Sequence, residues 1–160
     1  MNQVEIENLC IRIRNCLDKW SEDGTLEALV GSSTKNFPNG CCGLITECLS
    51  VILYKLKGSR PNTVTGTCDD GDRYYNQLAA NSHIWIEFNG INIDLTGDQF
   101  NDGDIDIPPV FVSSSSHTLS TMMTTKTKPA FLIGITKPAS GFESGQLFLI
   151  DKLRVELNLF

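Results

Sequence analysis

The chain contains no long apolar run. No stretch approaches the roughly 20 residues needed to cross a bilayer, and the N-terminus, MNQVEIENLCIRIRN, has neither a continuous apolar region nor a cleavage site. A cytoplasmic protein with no membrane partner is therefore expected. Positive charge is also short: 13 Lys and Arg against 19 Asp and Glu leave a net charge of −6. The basic residues are scattered, with Lys55, Lys57 and Arg60 the nearest approach to a patch, which argues against unaided nucleic-acid binding. There is no internal repeat, and neither a CxxC nor an HxxxH spacing. A zinc site built from Cys41, Cys42, Cys68 and His83 would have to use adjacent cysteines, which chelate one tetrahedral ion poorly.

What is present is an ordinary globular composition, 41% hydrophobic and 20% charged over 160 residues. That length supports one domain, residues 1–160, that buries its own core without a covalent staple. In a reducing compartment the six cysteines (10, 16, 41, 42, 48 and 68) are expected as free thiols.

Ile6, Leu9, Cys10, Ile13, Cys16, Leu17 and Trp20 recur at three- and four-residue steps and predict an amphipathic helix ending near Ser21 to Gly24, with Arg12 and Arg14 mostly off its stripe. Residues 31–40 read as loop. A second helix, wide in its apolar stripe and therefore central, is predicted from about Cys42 to Lys57. Residues 58–72 read as loop, 113–128 as an exposed Ser/Thr loop or lid, and Ala130–Thr136 and Gln146–Ile150 as strands. The acidic run 101–106 reads as a turn and not as a calcium loop. The fold class is α+β.

The segment HIWIEF-NG-INIDLT (83–96) alternates around the dipeptide most favoured in a two-residue type I′ turn. In that register Ile84, Ile86, Phe88, Ile91, Ile93 and Leu95 share one face. His83, Trp85, Glu87, Asn92, Asp94 and Thr96 share the other. Asp94 is then a diagonal neighbour of His83, close enough to orient the imidazole. The plain alternative is a His and an Asp on the solvated face of a half-buried sheet. Trp85 is either a shield for that pair or a packing residue beneath the second helix. His117, inside the Ser/Thr tract, carries no assignable role.

FPNGCCGLIT (37–46) places two cysteines between glycines at the start of the second helix. A thiol at that position meets unpaired backbone N–H groups and the positive end of the helix dipole, which favour its thiolate. The flanking glycines leave room for a substrate's main chain.

FPNGCCGLITECL followed by SHIWIEFNGINIDLTGDQF resembles small bacterial proteins of the papain-like/transglutaminase-like cysteine peptidase superfamily, through a FPxGxC…HxWxE…IDxTxDQF pattern over residues 37–100. The resemblance implies a Cys-bearing central helix packed on an antiparallel sheet. It implies Cys42 as nucleophile, His83 as general base and acid, and Asp94 as the residue that orients His83. Cys41 is the alternative nucleophile. A side-chain oxyanion donor would come from Asn36, Asn39 or Gln99. The implied activity is acyl transfer through a thioester, on a protein or peptide substrate, with no metal or organic cofactor. Hydrolysis, deamidation and transamidation share that chemistry. Two rivals stand beside it: a catalytically silent relative that binds a partner, and a cell-wall amidase, against which the lack of an export signal counts.

Overall fold

The structure, a computed structural model, describes residues 1–78, 80–102, 104–136 and 144–160. Among the described residues four α-helices and five strands follow in the order α1 (Gln3–Glu22), α2 (Thr25–Val30), α3 (Cys42–Lys57), β1 (Asn62–Thr67), β2 (Ser82–Phe88), β3 (Ile91–Asp94), β4 (Phe111–Ser113), β5 (Thr124–Pro129) and α4 (Ser144–Glu156). The strands form one antiparallel sheet in the order β4-β3-β2-β1-β5. The protein is thus mixed α+β, with an N-terminal helix and a five-stranded antiparallel sheet.

The helices begin and end where local chemistry directs. Asn2 caps α1 in a reciprocal capping box with Glu5. Gly58, in the left-handed region at φ 71°, ends α3 just beyond Lys55 and Lys57, whose charges suit the negative end of the dipole. Asn89 and Gly90 both have positive φ and close the β2–β3 hairpin, pairing Phe88 with Ile91 and Ile86 with Ile93.

Two apolar cores lie on opposite faces of the sheet. The larger joins α1, α2, α3 and α4 to Ile86, Phe88, Ile93 and Leu95. The smaller gathers Val64, Cys68, Leu78, Trp85, Phe100, Ile107, Leu119 and Met123. The face that carries His83, Trp85 and Asp94 is therefore roofed and not solvated, because Phe100, Ile107, Leu119 and Met123 pack back across it. Trp85 belongs to this second core, away from α3.

Several local expectations are corrected. Within 58–72, strand β1 forms from NTVTGT, and 113–128 holds a 3₁₀ turn (Thr118–Thr121) and all but the last residue of the edge strand β5. Buried His117, Leu119 and Met123 exclude a freely exposed lid. Ala130–Thr136 is no strand: Gly134 adopts φ 69° and Leu132 O accepts from the N–H groups of Ile135 and Thr136, closing a turn. Gln146–Ile150 lies within α4, whose Leu149, Ile150 and Leu153 are buried. A short helix, α2, precedes the 31–40 loop. β3 ends at Asp94, two residues early, because the Asp94 carboxylate turns back to accept from Thr96 N–H at 2.9 Å. Arg14 is buried, not peripheral. Gly103, in the expected acidic turn, lies outside the described residues. All six cysteines are free thiols. Among the described residues no helix is long and apolar enough to cross a membrane.

Candidate active site

Cys42 is the first residue of α3, with Cys41 at the N-cap. Thr46, one turn further on, donates its hydroxyl to Ile84 O at 3.1 Å. That bond ties α3 to β2 beside His83. The His83 imidazole and the backbone N–H groups of Gly43 and Ile84 lie near enough to the Cys42 thiol to favour its thiolate. His83 Nε2 lies 2.6 Å from Asp94 Oδ2. With Nε2 committed to the carboxylate, Nδ1 is the ring nitrogen available to the thiol, and Gln99 Nε2 also lies 3.2 Å from it.

The hairpin register thus brings His83 and Asp94 together, and the start of α3 brings Cys42 to His83. The His83 and Asp94 side chains are almost wholly sealed, 0% and 1% exposed, while Cys42 is half-buried. Cys42 lines a cleft of about 590 Å³ with Asn39, Gly40, Ala80, Ser82 and Gln99.

Each charge state follows from its surroundings. Burial pushes the Cys42 thiol up, but the hydrogen bond and positive charge of His83, with the two backbone N–H groups, bring it below its ordinary value. Burial alone would push His83 down. The charge and hydrogen bond of Asp94, then Cys42, instead carry it up to about 9 from 6.5. Burial likewise pushes Asp94 up, and His83 together with His117 reverses this, holding the carboxyl below the usual range. Cys41 shares none of this: it is 2% exposed, its sulfur faces the carbonyls of Asn39 (3.5 Å) and Ser33 (3.8 Å), and burial with Cys42 beside it pushes it up to about 11. Cys10 and Cys48 sit in the core and burial raises both.

Of the three amide side chains, Gln99 is the one tied into the cluster. Its Nε2 donates to Thr96 O at 2.8 Å and lies 3.2 Å from His83 Nδ1, while its Oε1 accepts from Gly40 N–H at 3.2 Å. Asn39 lines the cleft; Asn36 is exposed in the preceding turn.

Two groups escaped the sequence reading. His117 Nε2 lies 3.0 Å from Asp94 Oδ2, making the carboxylate common to two imidazoles. The apolar Leu119, Met122 and Met123 just downstream were the one hint that the tract around it turns inward. The second is Arg14, whose guanidinium forms a two-pronged pair with Asp98 (2.7 and 2.9 Å), reaches Leu95 O and Pro109 O, and lies over the Phe37 ring. It thereby clamps the 3₁₀ turn Gly97–Phe100, which presents Gln99. No side-chain spacing predicts a contact across 84 residues.

Among the described residues, no group of three or more His, Cys, Asp or Glu side chains is placed to hold a metal ion. No family model matches the chain, nor does any curated protein or solved structure.

Proposed function

We propose that this protein is a cysteine-dependent acyl-transfer enzyme of papain-like or transglutaminase-like kind, cleaving a peptide or side-chain amide bond through a thioester on Cys42. The observation that carries this reading is the Cys42 thiol at the start of α3 set beside His83, whose Nε2 lies 2.6 Å from the buried Asp94 carboxylate. The order of the three residues supports it: a cysteine opening a helix, then a His and an Asp on adjacent strands. So does the uncharged lining of the cleft, which suits a neutral amide.

In this scheme the Cys42 proton passes to His83 Nδ1, and the thiolate attacks the amide carbonyl, forming a C–S bond. First-turn N–H groups of α3, which have no intrahelical acceptor, face the developing oxyanion. The C–N bond then breaks and the amine leaves with the proton from His83. Water adds to the thioester, giving its proton to His83. Collapse releases the acid and returns the proton to Cys42. Asp94 stays ionised throughout and steadies the imidazolium.

The test is iodoacetamide alkylation across pH with mass-spectrometric site assignment, on wild type and His83→Ala. Cys42 should react well below the pH of a free thiol near 8.5, ahead of Cys41, and lose that advantage without His83. Ordinary thiol behaviour in both proteins would remove the constitutive enzyme and favour a silent, partner-binding relative.

A further inference from the structure

We propose that His117 is a positioning residue for the Cys42 reaction, holding the Asp94 carboxylate from a second side so that Asp94 in turn holds His83. The proposal rests on the acyl-transfer reading above and assigns a duty to a side chain which that reading leaves unused.

The tautomer of His117 follows from its neighbours. Leu119 N–H points at His117 Nδ1 at 3.2 Å, so Nδ1 accepts and carries no proton. The ring proton then resides on Nε2, which faces Asp94 Oδ2 at 3.0 Å and donates to it. Asp94 is thereby fully engaged: Oδ1 accepts from Thr96 N–H (2.9 Å) and Thr96 hydroxyl (3.1 Å), and Oδ2 accepts from His83 (2.6 Å) and His117. Four donors fill the roughly four lone-pair directions of a carboxylate. The group cannot turn about its own axis without losing partners, so the direction in which it pulls His83 is set.

The ring itself is held rigidly. It stacks on Trp85 at 4.4 Å between centroids with 19° between planes, and it meets Phe111 edge-on at 4.7 Å. The titratable groups that face it are Asp94 from β3 and, with ring centroids 6.2 Å apart, His83 from β2. Packing alone would be satisfied by any aromatic ring between Trp85 and Phe111. What His117 adds is one N–H aimed at the carboxylate.

The experiment compares wild type, His117→Phe and His117→Gln in the Cys42 alkylation profile. Phenylalanine keeps the stacked ring and removes the donor; glutamine restores an N–H near the place of Nε2. In His117→Phe the acid-side midpoint of Cys42 alkylation should rise by about one pH unit, because a carboxylate freed of one donor can turn from the direction that holds the His83 imidazolium. In His117→Gln most of that shift should be recovered, which a merely structural role would not produce. A Phe variant that titrates with wild type overturns the proposal while leaving the acyl-transfer reading intact. A wild-type Cys42 that behaves as an ordinary thiol overturns both. If the Phe variant fails to fold, imidazole ¹⁵N spectra of the wild type decide: a bare Nδ1 and a protonated Nε2 at His117 support the proposal, and a proton on Nδ1 overturns it.

Discussion

Asp94 is 3% exposed and accepts four hydrogen bonds, so its charge is sustained by geometry and not by water. A carboxyl held below its ordinary 3.8 contributes stability that is fully present above about pH 4 and is lost as pH falls through the lower folded value. Asp94→Asn replaces one acceptor oxygen by a donor facing two donor imidazoles. At pH 7 the variant should lose about 3 kcal/mol in urea unfolding. Below pH 4 its stability should fall less steeply than that of wild type, since this carboxyl no longer titrates. The Cys42 alkylation midpoint should move toward that of a free thiol, because the imidazolium has lost its counter-charge. A variant whose acid limb and alkylation profile both match wild type would show that Asp94 has no electrostatic hold on His83.

The elements that carry the site meet at the 3₁₀ turn Gly97–Phe100. A Cβ on Gly97 would lie 2.6 Å from Asp94 Oδ2 and 2.8 Å from Ile107 Cγ2, nearer than real carbon contacts come. Gly97→Ala must therefore push the turn off the carboxylate, with an expected loss of about 1–3 kcal/mol and a raised alkylation midpoint. Arg14 anchors the other side of the same turn. In Arg14→Lys one ammonium cannot replace the two-pronged contact with Asp98 and also reach the carbonyls of Leu95 and Pro109. Urea unfolding should show a loss of about 2 kcal/mol, with Cys42 less reactive at pH 7. Unchanged alkylation in both variants would mean that the turn does not position the site.

Across the whole molecule the two cores do different things. Leu153, 1% exposed among the helices, and Leu119, fully buried on the site side, are similar deletions in size. Each change to alanine should cost about 3 kcal/mol. Leu153→Ala should leave the Cys42 alkylation midpoint where it is in wild type. Leu119→Ala should raise it, because the segment whose N–H holds His117 loses its anchor. Equal shifts in the two proteins would show that the cores are not separable.

Sequence by itself determined the parts whose physics is local. The period of α1, the start and end of α3 and the hairpin register are each set by side chains within one or two turns of each other. The hairpin alone put Asp94 beside His83, and the glycine-flanked cysteines put Cys42 at a helix start. Only tertiary structure decided the rest. β1 (NTVTGT) and the wholly exposed β5 (TTKTKP) are strands through backbone pairing with neighbours, and carry almost no apolar alternation to announce it. In α4, QLFLI suits a strand as well as a helix, and the helical spacing becomes visible only when Leu153 and Leu157 are read with Leu149. His117 and Arg14 reach their partners across 23 and 84 residues. Such contacts depend on where the chain returns, and that is settled by burying the second face of the sheet.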